Sequence, residues 1–150
     1  MRVLVIHGPN LNLLGEREPD VYGTQTLEQI DALVAQTARE IGIDATCVQH
    51  NSEGAILEEL HAARRAYDAI VINPGAYSHY SYAIADAIAA IAVPTIEVHL
   101  SNVHARETFR RTSVVAPVCA GSVVGFGANS YALALRAAAA SMVKRSEKPL

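Results

Sequence analysis

The chain has 150 residues, enough for one domain with a buried core, and its mean hydropathy of +0.18 excludes an intrinsically disordered protein. Its net charge of -3 and its lack of Trp argue against a nucleic-acid-binding surface. No apolar run reaches the roughly 18 residues of a membrane span, and the N-terminal run is too short for a signal peptide. Cys47 and Cys119 fit no disulfide or metal motif, so we expect buried free thiols and a cytoplasmic protein.

Short β-branched runs alternate with helical segments along the chain. The first run, Val3–Ile6, is typical of a strand buried on both faces, and later strands are predicted at residues 45–50, 69–72, 94–100 and 123–126. Helices are predicted from Thr26 to about Ile41, after Ser52, from Ser78 or Ser81 to about residue 92, and over residues 128–143. This order predicts one α/β domain over residues 1–150, with a parallel sheet and helices on both faces.

Two further segments lack a helix or strand period. Residues 10–26 are predicted to be a long loop, of which about 15–24 form a lid, and residues 101–112 are polar with a short helix from His104. Residues from about 144 to 150 are predicted to be a frayed tail.

Polar residues follow three of the predicted strands: residues 7–10, 73–75 and 99–101. In open parallel sheets, ligands bind outside the carboxyl ends of the strands, so these residues predict a site at one rim. The chain contains no P-loop for phosphates, no HExxH motif for zinc and no GxSxG motif for a serine nucleophile. Residues 125–130 half resemble a dinucleotide loop, but only one helix follows them, and tight strand-to-helix packing is the favoured interpretation.

Acid–base candidates lie at this rim and on the lid. Glu97 and His99 alternate along a strand and share a side, so the carboxylate can orient the imidazole as a general acid; a structural histidine is the alternative. Tyr22 and Arg17 share the lid, and a tyrosine acts as a base only if cations such as Arg17 and Arg106 stabilise its anion. The alternative is a solvated charged loop. His7 and His50, which also end strands, are interpreted as structural.

Long motifs in the chain closely resemble those of type II 3-dehydroquinate dehydratases. They are HGPNLNLLGEREP at 7–19 with Tyr22-Gly23, INPGAYSH at 72–79, IEVHLSNVHARE at 96–107, Phe109-Arg110 and GFG at 125–127. The resemblance covers residues 2–143. It implies a flavodoxin-like fold with strand order 2-1-3-4-5, in a single catalytic domain. It also implies a reversible anti elimination of water from 3-dehydroquinate to 3-dehydroshikimate through an enolate, in the shikimate pathway.

The resemblance implies no cofactor, no metal and no Schiff base, and the only lysines of the chain are Lys144 and Lys148. Tyr22 resembles the base that removes the C2 proton, kept ionised by Arg17 and Arg106. Asn10 resembles the residue that holds a water against the enolate oxygen. His99, oriented by Glu97, resembles the acid that protonates the departing C1 hydroxyl.

The resemblance also implies the residues that bind the substrate, namely Asn73, His79, Asp86, Leu100, Ser101 and Arg110. Asp86 is expected to come from a neighbouring subunit, within a homododecamer of four trimers. The family's usual arginine before this aspartate is Ala85 here, which puts the local trimer contacts in question.

Three alternatives stay open: a non-catalytic flavodoxin-like binding module, a nucleotide or flavin binder using Tyr77 and Tyr80, and the same reaction used in quinate breakdown. The catalytic interpretation is favoured because all four residues of the implied chemistry are present, namely Tyr22, Arg17, Asn10 and His99. The expected partner is a small-molecule substrate, with neither nucleic acid nor membrane.

Overall fold

The computed structural model of the chain describes the backbone of residues 1–146 and the side chains of residues 1–141. The strands are β1 (Arg2–His7), β2 (Asp44–Gln49), β3 (Ala69–Asn73), β4 (Thr95–His99) and β5 (Gly121–Val124). The helices are α1 (Pro19–Tyr22), α2 (Leu27–Ile41), α3 (Glu53–Ala63), α4 (Tyr82–Ile91) and α5 (Asn129–Ser146). No helix in this part of the chain is long and apolar enough to cross a membrane.

The five strands form one parallel sheet in the order β2-β1-β3-β4-β5, which confirms the order that the family resemblance implies. His7 pairs with Asn73 across β1 and β3, and Ile72 pairs with Glu97 across β3 and β4. The carboxyl ends of these three central strands therefore meet at one edge of the sheet. The residues that follow these strands, which are predicted to form a site, therefore begin close to one another.

Alternating side chains of the central strands fill two apolar layers, one on each face of the sheet. The first layer joins the sheet to α2 and α5, and its buried members include Val3, Val5, Val71, Val98, Ile30, Val34, Tyr131 and Leu135. The second joins the sheet to α3 and α4, and includes Leu4, Ile6, Ile70, Ile72, Ile56, Leu60, Ile84 and Ile88. Both faces of the central strands are thus buried, which fixes the position of the rim where the strands end.

Side-chain caps determine where the helices begin. Thr26 and Gln29 form a reciprocal capping box at α2, which ends at Gly42 with φ +72°. Ser81 caps α4 because its Oγ accepts a hydrogen bond from the Ile84 amide at 3.1 Å. Ser78, the alternative start, lies instead in a 3₁₀ turn over Gly75–His79.

The structure corrects the sequence-based boundaries in three places. The strand predicted at 123–126 is wrong by two residues: β5 ends at Val124 because Gly125 adopts φ +94°. The loop at 10–26 contains the short helix α1 and a 3₁₀ turn, and residues 101–112 contain two 3₁₀ turns rather than one helix. Helix α5 extends to Ser146, and residues 147–150 of the predicted tail lie outside the described residues.

Candidate active site

A cavity of about 130 Å³ lies at the carboxyl ends of β1, β3 and β4. All but two of the predicted site residues line it: Asn10, Arg17, Tyr22, Asn73, His79, His99, Leu100, Ser101, Arg106 and Arg110. Of the other two, Glu97 is buried and bonded to His99, whereas Asp86 is exposed on α4 and does not line the cavity. The structure therefore brings together every predicted site residue except Asp86.

Close packing between the ends of β1 and β3 forms one wall of the cavity. The Gly8 amide donates to the Asn73 carbonyl at 2.8 Å, and a Cβ at Gly8 would lie 2.6 Å from that carbonyl oxygen. Asn10 then turns the chain with φ +67°, and its amide donates to Asn51 Oδ1 at 3.0 Å. Glycine and this turn let Asn10 and Asn73 line the same cavity.

Two guanidinium groups converge on the Tyr22 hydroxyl. Arg106 Nη1 lies 2.7 Å from the hydroxyl oxygen and Arg17 Nη2 lies 3.2 Å from it. Their Cζ atoms also lie 5.0 and 4.4 Å from the centroid of the tyrosine ring. Both guanidinium groups thus donate hydrogen bonds to the same oxygen, which places two positive charges beside the Tyr22 hydroxyl.

On β4, a buried carboxylate holds His99. Glu97 Oε1 lies 2.9 Å from His99 Nε2, as the alternation of side chains along the strand predicts. The Ser113 hydroxyl lies 2.9 and 3.1 Å from the two Glu97 oxygens and accepts hydrogen bonds from the amides of Val115 and Ala116. The carboxylate is therefore fixed on both sides, and the Nδ1 atom of His99 is left for the cavity.

The neighbouring histidine, His79, is fixed by a backbone contact. Its Nδ1 donates to the Thr112 carbonyl at 2.9 Å, so this nitrogen carries the proton. The ring stacks on His99 with an interplanar angle of 15° and a centroid distance of 6.5 Å, and its edge meets Phe109. The Nε2 atom is then the part of His79 that can bond a ligand.

The charge of the cavity lining favours an anion. Arg17, Arg106 and Arg110 line it, and no Asp or Glu of the described residues does. Glu107, outside the lining, lies 2.6 Å from Arg110 Nε; hydrogen bonds from its own backbone and from Arg110 hold the pKa of this carboxyl below its ordinary value. Arginine binds carboxylates in two-pronged geometry, so a small carboxylate fits this lining.

The two histidines interpreted as structural both have carboxylate partners. His50 Nε2 lies 2.9 Å from Glu59, and the buried His7 lies 2.8 Å from Asp31. Within residues 1–141, only the group His7, Asp31 and Cys47 places possible metal ligands within 4.8 Å of one another. Burial raises the pKa of the Cys47 thiol far above its ordinary value, which opposes the thiolate that a metal ion needs.

Three supporting residues were not predicted from the sequence. Ser113 holds Glu97, Asn51 holds the Asn10 backbone, and Tyr131 accepts a hydrogen bond from Asn73 at 3.1 Å. They are 16, 41 and 58 residues from their partners, and no short motif contains both members of a pair. Only the fold brings them to the site.

Comparison with known proteins places these features in a family. The model of the family described as "Dehydroquinase class II" matches residues 1–139. The 3-dehydroquinate dehydratase of Pelotomaculum thermopropionicum is 57% identical over 140 residues, which cover 93% of this chain and 97% of that protein.

Solved structures agree with this match. The type II dehydroquinase of Butyrivibrio crossotus superposes with a TM-score of 0.91 at 46% identity, covering 93% of this chain and 97% of the other. The type II dehydroquinase of Propionibacterium acnes gives a TM-score of 0.89 at 44% identity, covering 93% and 96%.

Proposed function

Because the chain belongs to the class II dehydroquinase family, its reaction is the dehydration of 3-dehydroquinate, and we propose that Tyr22 and His99 are its base and acid. The enzyme is a hydro-lyase that forms 3-dehydroshikimate, a reaction of the shikimate pathway. The observation that carries the proposal is that one cavity holds a tyrosine bonded to two arginines together with a histidine bonded to a buried glutamate.

The first step removes a proton from C2 of the substrate. The ketone beside C2 makes this hydrogen acidic, and the Tyr22 phenolate, stabilised by Arg17 and Arg106, accepts it. The electron pair of the broken C–H bond moves onto the carbonyl oxygen and forms an enolate. Asn10, at the edge of the cavity, holds a water against this oxygen and so stabilises the negative charge.

The second step expels the C1 hydroxyl. The enolate collapses, the C1–O bond breaks and a double bond forms between C1 and C2. His99 donates a proton to the departing oxygen, so the leaving group is water rather than hydroxide. Glu97, whose oxygens are held by Ser113, orients the ring for this proton transfer. Side chains and one bound water stabilise the charges that develop in the two steps, so the proposed mechanism calls for no metal, cofactor or imine.

Substrate binding is assigned to the remaining residues of the cavity. Asn73, His79 and Arg110 bind the ring hydroxyls, and Leu100 and Ser101 hold the carboxylate through backbone amides and the serine hydroxyl. Arg106 lies 3.5 Å from the Ser101 hydroxyl, so a positive charge lies beside the proposed carboxylate position. The arginine-rich lining supports this anionic end of the substrate.

We also infer an oligomer in which Asp86 of one subunit completes the cavity of another. Asp86 is exposed on α4, next to Tyr82, of which 70% is exposed. The expected assembly is a dodecamer of four trimers.

A cytoplasmic location is inferred from the free thiols of Cys47 and Cys119, and cell fractionation tests it: enzyme found outside the cytoplasm would contradict this inference.

Substituting the proposed acid tests the division of roles. We expect His99→Ala to lower kcat by about 100-fold or more, the usual contribution of a general acid. His61→Ala is the matched control, since His61 is exposed on α3 and does not line the cavity. Turnover is followed by the enone absorbance of the product, with EDTA or borohydride present in parallel assays. Unchanged kcat in His99→Ala would contradict the acid role, and inactivation by borohydride would indicate an imine.

A further inference from the structure

A hydrogen-bonded chain of side chains runs behind the wall of the cavity. Asn73 Nδ2 lies 3.1 Å from the Tyr131 hydroxyl, which lies 2.9 Å from His7 Nδ1. His7 Nε2 in turn lies 2.8 Å from Asp31 Oδ1. Asn73, Tyr131 and His7 are each at most 3% exposed, whereas the Asp31 side chain is 41% exposed. The chain therefore connects a residue of the cavity to the protein surface across β3, α5, β1 and α2.

One arrangement of donors and acceptors gives every polar group of this chain a partner. Asn73 Oδ1 accepts a hydrogen bond from the Gly75 amide at 3.1 Å, so Nδ2 is the atom that faces Tyr131 and donates to it. The hydroxyl hydrogen of Tyr131 then points to His7 Nδ1. The proton of His7 is consequently on Nε2, where it is donated to Asp31.

The Tyr131 hydroxyl is a polar group in an apolar environment. Its ring belongs to the buried layer formed by Val5, Val71 and Leu135, and it is fully buried. An unpaired hydroxyl buried there would destabilise the fold, so the hydrogen bonds to Asn73 and His7 are what allow a tyrosine at this position. Burial raises the pKa of Tyr131 well above its ordinary value, which keeps the group a neutral donor at physiological pH.

We propose that Tyr131 is a positioning residue that holds the Asn73 carboxamide in one orientation toward the substrate. With Oδ1 bonded to Gly75 and one Nδ2 hydrogen bonded to Tyr131, the amide keeps one donor and one acceptor for the cavity. A substrate hydroxyl can use both. This inference depends on the proposed function, which assigns Asn73 to the ring hydroxyls.

A double-mutant cycle tests whether Tyr131 acts through Asn73. We expect Tyr131→Phe to raise KM for 3-dehydroquinate about tenfold and to change kcat less than twofold, because the lost contact positions a binding group. In the Asn73→Ala background, the same substitution should have no further effect on KM. Tyr67→Phe is the matched control, since it removes a hydroxyl near the other apolar layer and should leave both constants unchanged.

Two results of this cycle would overturn the proposal in different ways. An additional tenfold rise in KM in the Asn73→Ala background would show that Tyr131 does not act through Asn73, and the proposed function would stand. An unchanged KM in Asn73→Ala alone would remove the substrate role of Asn73, which overturns that part of the proposed function as well.

A second pair of variants tests the chain from its other end, and does not depend on the stability of Tyr131→Phe. His7→Asn places an amide oxygen where Nδ1 lies and keeps an acceptor for the Tyr131 hydroxyl, whereas His7→Leu removes it. We expect His7→Asn to stay within about twofold of the wild-type KM, and His7→Leu to show the rise seen in Tyr131→Phe. Equal KM values in the two His7 variants would contradict the proposal.

Discussion

At the scale of single residues, the proposed base and the proposed acid each depend on neighbouring side chains. In the proposed mechanism, Tyr22 can act as a base because two guanidinium groups contact its oxygen. His99 is oriented by Glu97, which is itself held by Ser113. A tyrosine or histidine alone in this cavity would lack the charge or orientation that the elimination needs.

Asp31, at the surface end of the Tyr131 chain, gives a pH-dependent contribution to stability. Partial burial alone would raise its pKa, but hydrogen bonds from His7 and Cys47 lower the pKa below its ordinary value. A carboxyl with a lowered folded-state pKa stabilises the fold above its unfolded-state pKa, and this stabilisation is lost as the pH falls through the folded-state pKa.

We therefore expect Asp31→Asn to reduce the free energy of unfolding at pH 7 by less than about 1 kcal/mol, since the side chain is 41% exposed. The difference from wild type should shrink as the pH falls below about 4. Urea unfolding between pH 7 and pH 3 measures it. A difference that stays constant over this range would rule out the charge of Asp31 as its origin.

At the scale of elements, the strands and helices with strong periodicity could be predicted and the short elements could not. The apolar runs of β1, β3 and β4 and the cap of α2 mark their own positions, because burial and capping select residue types locally. Helix α1 has four residues, too few for a period to show. The end of β5 is set by the conformation of Gly125, packed against Asn102, and not by hydropathy.

The same distinction applies to the site. Residues of the rim, such as Asn10, Asn73 and His99, could be predicted because they directly follow strands whose ends meet. Ser113 and Tyr131 could not, because their contacts connect segments far apart in the sequence. Asp86 does not line the cavity of its own chain, so its predicted role depends on a second subunit.

The contact between β1 and β3 gives a prediction at this scale. We expect Gly8→Ala to destabilise the fold by about 1–3 kcal/mol, the usual cost of overpacking, and to impair turnover. The added methyl would lie 2.6 Å from the Asn73 carbonyl oxygen, which is backbone and cannot move freely. Thermal unfolding and kcat/KM measure the two effects.

Gly121→Ala on β5 is the matched control for this substitution. A Cβ at Gly121 meets nothing within 4 Å, so the variant should be as stable as wild type or slightly more so. If the two glycine variants were equally stable, close approach would not be what requires glycine at position 8.

At the scale of the whole molecule, exposed apolar side chains support the proposal that the 16.0 kDa chain is one protomer of an oligomer. Tyr80, Tyr82 and Phe109 are 59%, 70% and 56% exposed, and Phe126 is 63% exposed. Aromatic side chains are enriched at the interfaces between subunits. Together with the exposed Asp86, they support the inferred oligomer with a shared site.

Sedimentation and a substitution test this inference. We expect a particle of twelve protomers, and we expect Asp86→Ala to lower kcat/KM about tenfold through a lost hydrogen bond to substrate. Glu58→Ala, which removes another exposed carboxylate, should leave kcat/KM unchanged. A fully active monomer would contradict the shared site.

The proposed mechanism begins with removal of the C2 proton by the Tyr22 phenolate, and the turnover of Tyr22→Phe tests this step. The phenylalanine ring keeps the shape of the side chain but cannot accept a proton. With wild-type melting temperature as evidence of folding, the enone absorbance should show kcat lowered by about 100-fold or more, the usual contribution of a general base. A kcat within a few-fold of wild type would show that Tyr22 is not the base.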